Sequence, residues 1–387
     1  MAVIQDTERF DTVIVGGGQA GLAVGYHLTR RGHPCVILDA NDRVGDSWRK
    51  RWPTLRLYSP AIAAGLPGMR FPAPSTHYPT GSEMADYLEE YARTFALPVR
   101  SGLAVDGLER NGDGYVLTAA GRRFEADNVV VATGVFQHDR PLIPEIAAEL
   151  DPRIKQLHSA DYRSPAQLGD GPVLVVGAAH SGGDIAYEVA QAGHRTLLSG
   201  RDTGQIPFDI EGRAARFVFP LLKFVATRIL TVSTPLGRKA RPVIRAHGGP
   251  LLRVKRSDLE AAGVERVFER TVGMEDGKPV LADGRVVDAA NVIWCTGFRN
   301  DYGWIRLPLP MDADGFPEQH RGAVPSSPGL YFVGLPFLHS FASMLIIGAG
   351  RDGGRVAKHI LSRRSRDPRP EGRGRRGRAS TGQEIAA

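Results

Sequence analysis

Residues 12–28 read TVIVGGGQAGLAVGYHL. The first four are all β-branched, as a buried strand requires. They run into Gly16, Gly18 and Gly21 at GxGxxG spacing, and a helical apolar pattern continues to Leu28. Each glycine answers a separate need: Gly16 a tight turn, Gly18 the close approach of a pyrophosphate to the backbone, and Gly21 the close packing of helix on strand. The spacing alone is common, but here its context is complete. A second apolar run, CVILD, ends in Asp39, 23 residues after Gly16. A carboxylate at that place accepts hydrogen bonds from an adenosine ribose diol and repels a 2′-phosphate.

The same grammar returns at 173–186, VLVVGAAHSGGDIA, with Gly177, Ala179 and Gly182 in the three glycine places. Counting 23 residues on from Gly177 reaches Gly200, and Arg201 follows. An uncharged strand end followed by a guanidinium suits a 2′-phosphate. The pair of turns therefore predicts FAD in the first and NADPH in the second. His180 and Ser181 open the second helix, whose positive end disfavours a protonated imidazole. A neutral His180 is open to two readings, a hydrogen bond to nicotinamide or ribose, or a cap that touches no ligand.

Two related phrases, NVVVATGVF at 128–136 and NVIWCTGF at 291–298, close on Thr133-Gly134 and Thr296-Gly297. They mark where the chain crosses between the two units and supply further cofactor-binding positions. The expected fold class is α/β, with two Rossmann-like dinucleotide-binding domains and the NADPH domain inserted in the FAD domain. The FAD domain would comprise 10–140 and 298–362, and the NADPH domain 141–297, with a helical insertion at about 205–245.

Composition agrees with such a body: of 387 residues 42% are hydrophobic and 24% charged. The net charge of +7 is concentrated in the tail 363–387, where eight Arg face three acids. So apolar-poor a segment is expected to be disordered, and the nearly neutral remainder argues against a specific nucleic-acid partner. Cys35 and Cys295 stand 260 residues apart with no CxxC, which disfavours a dithiol reductase and suits two core residues. No signal peptide opens the chain, so a cytoplasmic location is expected. The pattern requires no metal and no hydrolytic triad. The apolar run 217–232, FVFPLLKFVATRILTV, is interrupted by Pro220, Lys223 and Arg228 and is too short to span a bilayer. It reads as an interface helix, as a lid or tunnel wall, or as a peripheral membrane contact.

Taken in order, VIVGGGQAG, VGDSWRKRWPTLRLYSP, VVVATGVF, LHSADYRSP, VLVVGAAHSGGDIA, PLGRK, VIWCTGF and GLYFVGLPF carry a resemblance over about residues 10–360. The chain resembles the flavin-dependent two-dinucleotide-binding monooxygenases, the class of the flavin-containing, Baeyer-Villiger and plant indole-pyruvate monooxygenases. It is similar above all to their short bacterial relatives labelled as cation-transport flavoproteins. The resemblance implies that Ser47, Trp48 and Arg49 run along the flavin and that the backbone of Val105 clamps adenine. Of the family fingerprint FxGxxxHxxxY only His158 and Tyr162 remain, with Pro152 and Ile154 in the Phe and Gly places. The family's GNSG has His180 in its Asn place. Where flavin-containing monooxygenases often set an asparagine on the flavin's active face, this chain has Tyr58 and Ser59, which become the candidate catalytic residues.

The implied reaction consumes NADPH and O2, and through an oxygen adduct at flavin C4a passes one oxygen atom to a small organic substrate. Two alternatives stay open, a flavin oxidoreductase that passes electrons to a quinone, a protein or O2 without oxygenation, and a nucleotide-binding redox sensor linked to ion transport. Substrate and oligomeric state are not specified by these residues.

Overall fold

The computed structural model describes residues 7–135, 140–212, 215–246 and 248–366. Strand β1 (Glu8–Val15) turns at Gly16 into α1 (Gln19–Thr29), and the chain returns in β2 (Cys35–Leu38), parallel to β1. A short α2 (Asp46–Arg49) and the longer α3 (Gly81–Thr94) follow. Helix α3 opens on a capping box: Thr80 Oγ1 accepts the Glu83 N–H at 3.1 Å, and the Glu83 carboxylate accepts the Thr80 N–H at 2.7 Å. Strand β3 (Val99–Arg100) extends the sheet beside β2. Then β4 (Val105–Asn111), β5 (Gly114–Ala119) and β6 (Arg122–Val131) fold as an antiparallel meander.

The second unit begins with β7 (Lys155–His158), β8 (Val173–Val176), α4 (His180–Gln191) and β9 (Thr196–Ser199). Helices α5 (Ala215–Phe224) and α6 (Pro235–Ala246) come next, then α7 (Arg256–Ala261) and β10 (Glu265–Val267). A hairpin of β11 (Thr271–Glu275) and β12 (Lys278–Leu281) precedes β13 (Asn291–Trp294). The chain then returns to the first sheet through β14 (Leu330–Phe332) and finishes its described course in α8 (Ile346–Arg366).

The first sheet has the order β3-β2-β1-β6-β5-β4, with β14 also on β6, and the second the order β10-β9-β8-β13-β7. All pairs in the second sheet are parallel. Such a sheet is buried on both faces, which is why β8 and β13 are buried at every residue. β6 is ten residues long because it serves three partners: β1 along one edge, and on the other β5 at its first half and β14 at its last three residues.

The two glycine turns are built alike. A Cβ on Gly16 would lie 2.6 Å from the Ala132 carbonyl oxygen, and one on Gly177 2.4 Å from that of Cys295. A Cβ on Gly21 would lie 1.9 Å from Gly16 O, and one on Gly182 1.7 Å from Gly177 O. Both helices therefore enter so close to their strands that backbone meets backbone.

The tail reading needs correction at its start. Helix α8 continues through Arg366, so 363–366 are helical, anchored by a helix whose Val356, Ala357 and Ile360 are buried in the core under α1. Residues 367–387 lie outside the described residues, as does Phe136. Among the described residues no helix is long and apolar enough to cross a membrane.

Gly182→Ala should destabilise the protein by roughly 1–3 kcal/mol or more through overpacking against backbone. Gly273→Ala, whose Cβ would meet nothing within 4 Å, should stay within about 0.5 kcal/mol. Thermal unfolding of the two variants checks the pair.

Candidate functional site

The first turn lies where the ends of β1, β2 and β6 meet. Gly16 N–H donates to Leu38 O at 2.7 Å, and Ala132 N–H to Val15 O at 2.7 Å. No side chain caps α1 at Gly18, and a Cβ there would meet nothing within 4 Å. The α1 N-terminus is thus an open cradle of backbone N–H groups at the positive end of a helix, chemistry that fits a pyrophosphate. Asp39 is buried directly after β2, its Oδ2 accepting the Gly17 N–H and its Oδ1 the Asn41 N–H at 2.7 Å. These bonds fix the carboxylate at the rim of the cradle and leave it acceptor capacity for ribose hydroxyls. Leu103 N–H donates to Asp39 O at 2.8 Å, bringing the stretch that leads into Val105 and β4 to the same rim. Thr133 Oγ1 is buried with no hydrogen-bond partner, and Gly134 follows in the left-handed region at φ 69°. An orphaned hydroxyl beside an open cradle fits a bound dinucleotide.

The second turn repeats the frame, with Gly177 N–H on Ser199 O at 2.8 Å and Cys295 N–H on Val176 O at 2.8 Å. Arg201 follows β9 and Gly200, is exposed, and has no ion pair among the described residues. Beside it Arg266 donates to Gly200 O at 2.6 Å and Leu198 O at 3.0 Å, so Arg266 holds the strand end while Arg201 stays at the surface. Thr296 donates to Leu142 O, and Leu142 N–H to Gly297 O at 2.9 Å, pinning that crossing.

The mouth of this turn differs from the first. A Cβ on Gly248 would lie 2.6 Å from Ala179 Cβ, and one on Gly249 2.3 Å from His180 Cε1. The Gly248-Gly249 backbone therefore lies across the helix entrance at a distance that only glycine allows. Ser181 is half-buried in the first turn of α4. Burial under this cover pulls the His180 pKa down to about 4, against a smaller opposing hydrogen bond to the Pro250 carbonyl, and leaves Nε2 without a partner. His180 is neutral, and burial is the cause.

A strap of residues 48–58 joins the two turns. Trp48 packs against the cores of both units, and Trp52 and Leu55 belong to the core of the second. The Tyr58 hydroxyl donates to Asp184 Oδ2 at 2.8 Å, its ring lies 4.9 Å from that of His180, and Arg253 reaches the same Asp184 oxygen at 3.4 Å. Burial, and then the Asp184 charge, push the Tyr58 pKa well up. Ser59 is half-buried beside it. Arg51 is held over the Phe298 ring at 5.3 Å, and burial draws its pKa down to about 10.

Ser47 and Arg49 lie on α2, where the Arg49 guanidinium is occupied by Val44 O at 2.8 Å, Asp46 at 3.2 Å, Asp86 at 2.8 Å and Glu89 at 2.6 Å. That set of bonds ties α2 to α3. Arg51, Asp184, Arg253 and the Gly248-Gly249 pair were not among the residues singled out from sequence. Only the Gly-Gly-Pro run at 248–250 carried a local signal, that of a turn.

Two dinucleotide cradles facing one strap define a flavoprotein with two nucleotide-binding units, and the comparisons agree. A model of the pyridine nucleotide-disulphide oxidoreductase family matches residues 13–211, and the chain belongs to that family. A CzcO-like oxidoreductase of Geobacillus kaustophilus is 36% identical over 352 residues, 91% of this chain and 98% of its own length. A probable indole-3-pyruvate monooxygenase of Arabidopsis thaliana, YUCCA9, is 27% identical over 90% of this chain and 88% of its own. Among solved structures, a flavin-containing monooxygenase from Stenotrophomonas maltophilia superposes with TM-score 0.73 at 27% identity, covering 92% of this chain and 99% of that one. The protein is thus a flavin-dependent oxidoreductase with FAD and NADPH as its cofactors.

The disulphide in the family's description has no counterpart in this chain, whose two cysteines are both free. Cys35 lies in β2 of the first sheet and Cys295 follows β13 of the second. Burial raises the pKa of both thiols, that of Cys295 to about 12. Neither is a thiolate near neutral pH.

The buried imidazole gives a pH test. Folded His180 titrates at about 4 and the unfolded residue near 6.5, so its contribution is undiminished above about pH 6.5. It is lost as pH falls toward 4, at up to about 1.4 kcal/mol per pH unit. Denaturant melts between pH 7 and 4 should show this slope, and His180→Gln should flatten it.

Proposed function

We propose that the protein is an FAD-dependent, NADPH-consuming monooxygenase that inserts one oxygen atom from O2 into a small organic substrate. The observation that carries this reading is the opposed ribose chemistry of the two cradles, a buried carboxylate at Asp39 and an exposed guanidinium at Arg201 without an ion pair among the described residues. When bound, FAD supplies the redox chemistry, accepting hydride from NADPH and then reacting with O2.

The chain's own residues bind, orient and exclude water. The α1 N-terminus and Gly18 take the FAD pyrophosphate, and Asp39 its ribose diol. The α4 N-terminus, Ala179 and Ser181 take the NADPH pyrophosphate, and Arg201 its 2′-phosphate. Neutral His180, covered by Gly248-Gly249 and set beside Tyr58, forms the wall of this cradle without adding a charge to it. The Tyr58–Asp184 bond fixes the strap against α4, so the two cradles keep their separation. Half-buried Arg51, held over the Phe298 ring, sets a positive charge within the strap, which would stabilise negative charge on a bound flavin.

The monooxygenase activity named for YUCCA9 and for the Stenotrophomonas maltophilia structure supports oxygenation. With two unpaired thiols and a demand for NADPH, we place the enzyme in the cytoplasm, with its FAD unit formed by residues 10–140 and 298–362. NADPH oxidation linked one-to-one to an oxygenated product tests the reading; hydrogen peroxide as the only product would replace it with an electron-transferring flavoprotein.

Arg201→Ala should weaken selection of NADPH over NADH by about 1.5–3 kcal/mol, the worth of a hydrogen bond to a charged group. The kcat/KM ratio for the two nucleotides should fall roughly ten- to hundredfold while flavin content is unchanged. An unchanged ratio would place the 2′-phosphate elsewhere.

A further inference from the structure

The insertion that carries α5 and α6 is held to the first unit along one seam. Val232 N–H donates to His339 O at 2.9 Å, Phe341 N–H to Leu230 O at 2.9 Å, and Arg351 to Thr227 O at 2.6 Å. Arg241 and Arg245 pair with Asp312 at 2.6 and 2.5 Å. Away from that seam the insertion exposes large apolar side chains: Leu221 is 62% exposed, Phe224 54% and Leu236 54%. These lie within the short stretch 221–236, an unusual concentration for a protein surface.

The charge of the segment is equally one-sided. From 213 to 249 the sequence holds eight Lys and Arg and no Asp or Glu. Arg241 and Arg245 are neutralised at the seam, whereas Lys223, Arg228, Arg238 and Lys239 are exposed and have no ion pair among the described residues. Behind them the seam is itself positive: Arg321, Arg351 and Arg355 surround His339, with Asp352 as their near carboxylate. Burial and these cations together pull the His339 pKa down to about 4.

Apolar side chains interleaved with unpaired cations, on a helix too short to cross a bilayer, match what an anionic membrane surface receives: apolar groups below the headgroups and Lys or Arg among the phosphates. A second copy of this chain does not match, because a two-fold contact on this face would set its cations against themselves. We propose that the 215–246 insertion is a docking surface for an anionic lipid bilayer, with Leu221, Leu222 and Phe224 entering the interface and Arg228 and Lys239 facing the lipid phosphates. The site is separate from the two nucleotide cradles and does not rest on the reaction proposed for them.

The test is flotation of the full-length flavoprotein with vesicles of phosphatidylcholine alone and of phosphatidylcholine with phosphatidylglycerol. The wild type should float with the anionic vesicles only and detach as salt is raised. Arg228→Gln/Lys239→Gln should weaken partitioning about thirtyfold, at roughly a factor of five per cation near the surface. Leu221→Ser/Leu222→Ser/Phe224→Ser should abolish it, with vesicle-free NADPH oxidation unchanged in both variants as the check on folding.

Equal binding to neutral vesicles, or no flotation of the wild type, overturns the proposal. Flotation that survives the triple substitution also overturns it, by assigning the binding to the Arg-rich tail. A concentration-dependent dimer in sedimentation, abolished by the triple substitution, would give the face to a second copy instead.

Discussion

At Gly16 and Gly21 the first helix and its strand approach until only hydrogen fits between them, and the same holds at Gly177 and Gly182. The distances that a Cβ would have to accept, 1.7 to 2.6 Å from carbonyl oxygens, are contacts that no side chain relieves by rotating. Much else follows from this closeness. A helix that starts so near the strand end points its free N–H groups into the crevice between strands. The next strand must then end level with the turn, bringing Asp39 to the rim of one crevice and Gly200-Arg201 to the rim of the other. In the proposed function the ligand preference of each unit rests on what stands at that rim.

The constraint also explains how much could be read in the sequence. A turn that tolerates only glycine leaves its mark at fixed local spacing, so both units, their strands and their rim residues were legible from short stretches. Arg49 was less so. The resemblance sets it along the flavin, but its guanidinium finds Asp86 and Glu89, 37 and 40 residues away, and no local pattern announces partners at that distance. The Tyr58–Asp184 bond spans 126 residues and joins two units that only the folded chain brings together. The glycines that cross the second turn could be recognised as a turn, but not as the cover of His180. Composition alone misplaced the start of the tail, because residues 363–366 continue a helix whose earlier turns are buried.

The cover over the second turn sets the two cradles apart. The first is open at Gly18, where a side chain would meet nothing within 4 Å, while the second has Gly248 and Gly249 against Ala179 and His180. A cofactor held through many turnovers and a reductant that must come and go make different demands on access, and only the second cradle lies next to the loop that follows the α5–α6 insertion. The strap between them carries Trp48, packed on both cores, and Tyr58, bonded to α4. A change in the separation of the cradles must therefore pass through those contacts.

The account rests on two nucleotides meeting across that strap, with hydride passing between them. Anaerobic titration of the purified yellow protein with NADPH measures this directly. The flavin's visible band should bleach completely with one equivalent of NADPH and return when air is admitted. A protein that carries no FAD, or whose flavin keeps its band in the presence of excess NADPH, would contradict the pairing of the two sites.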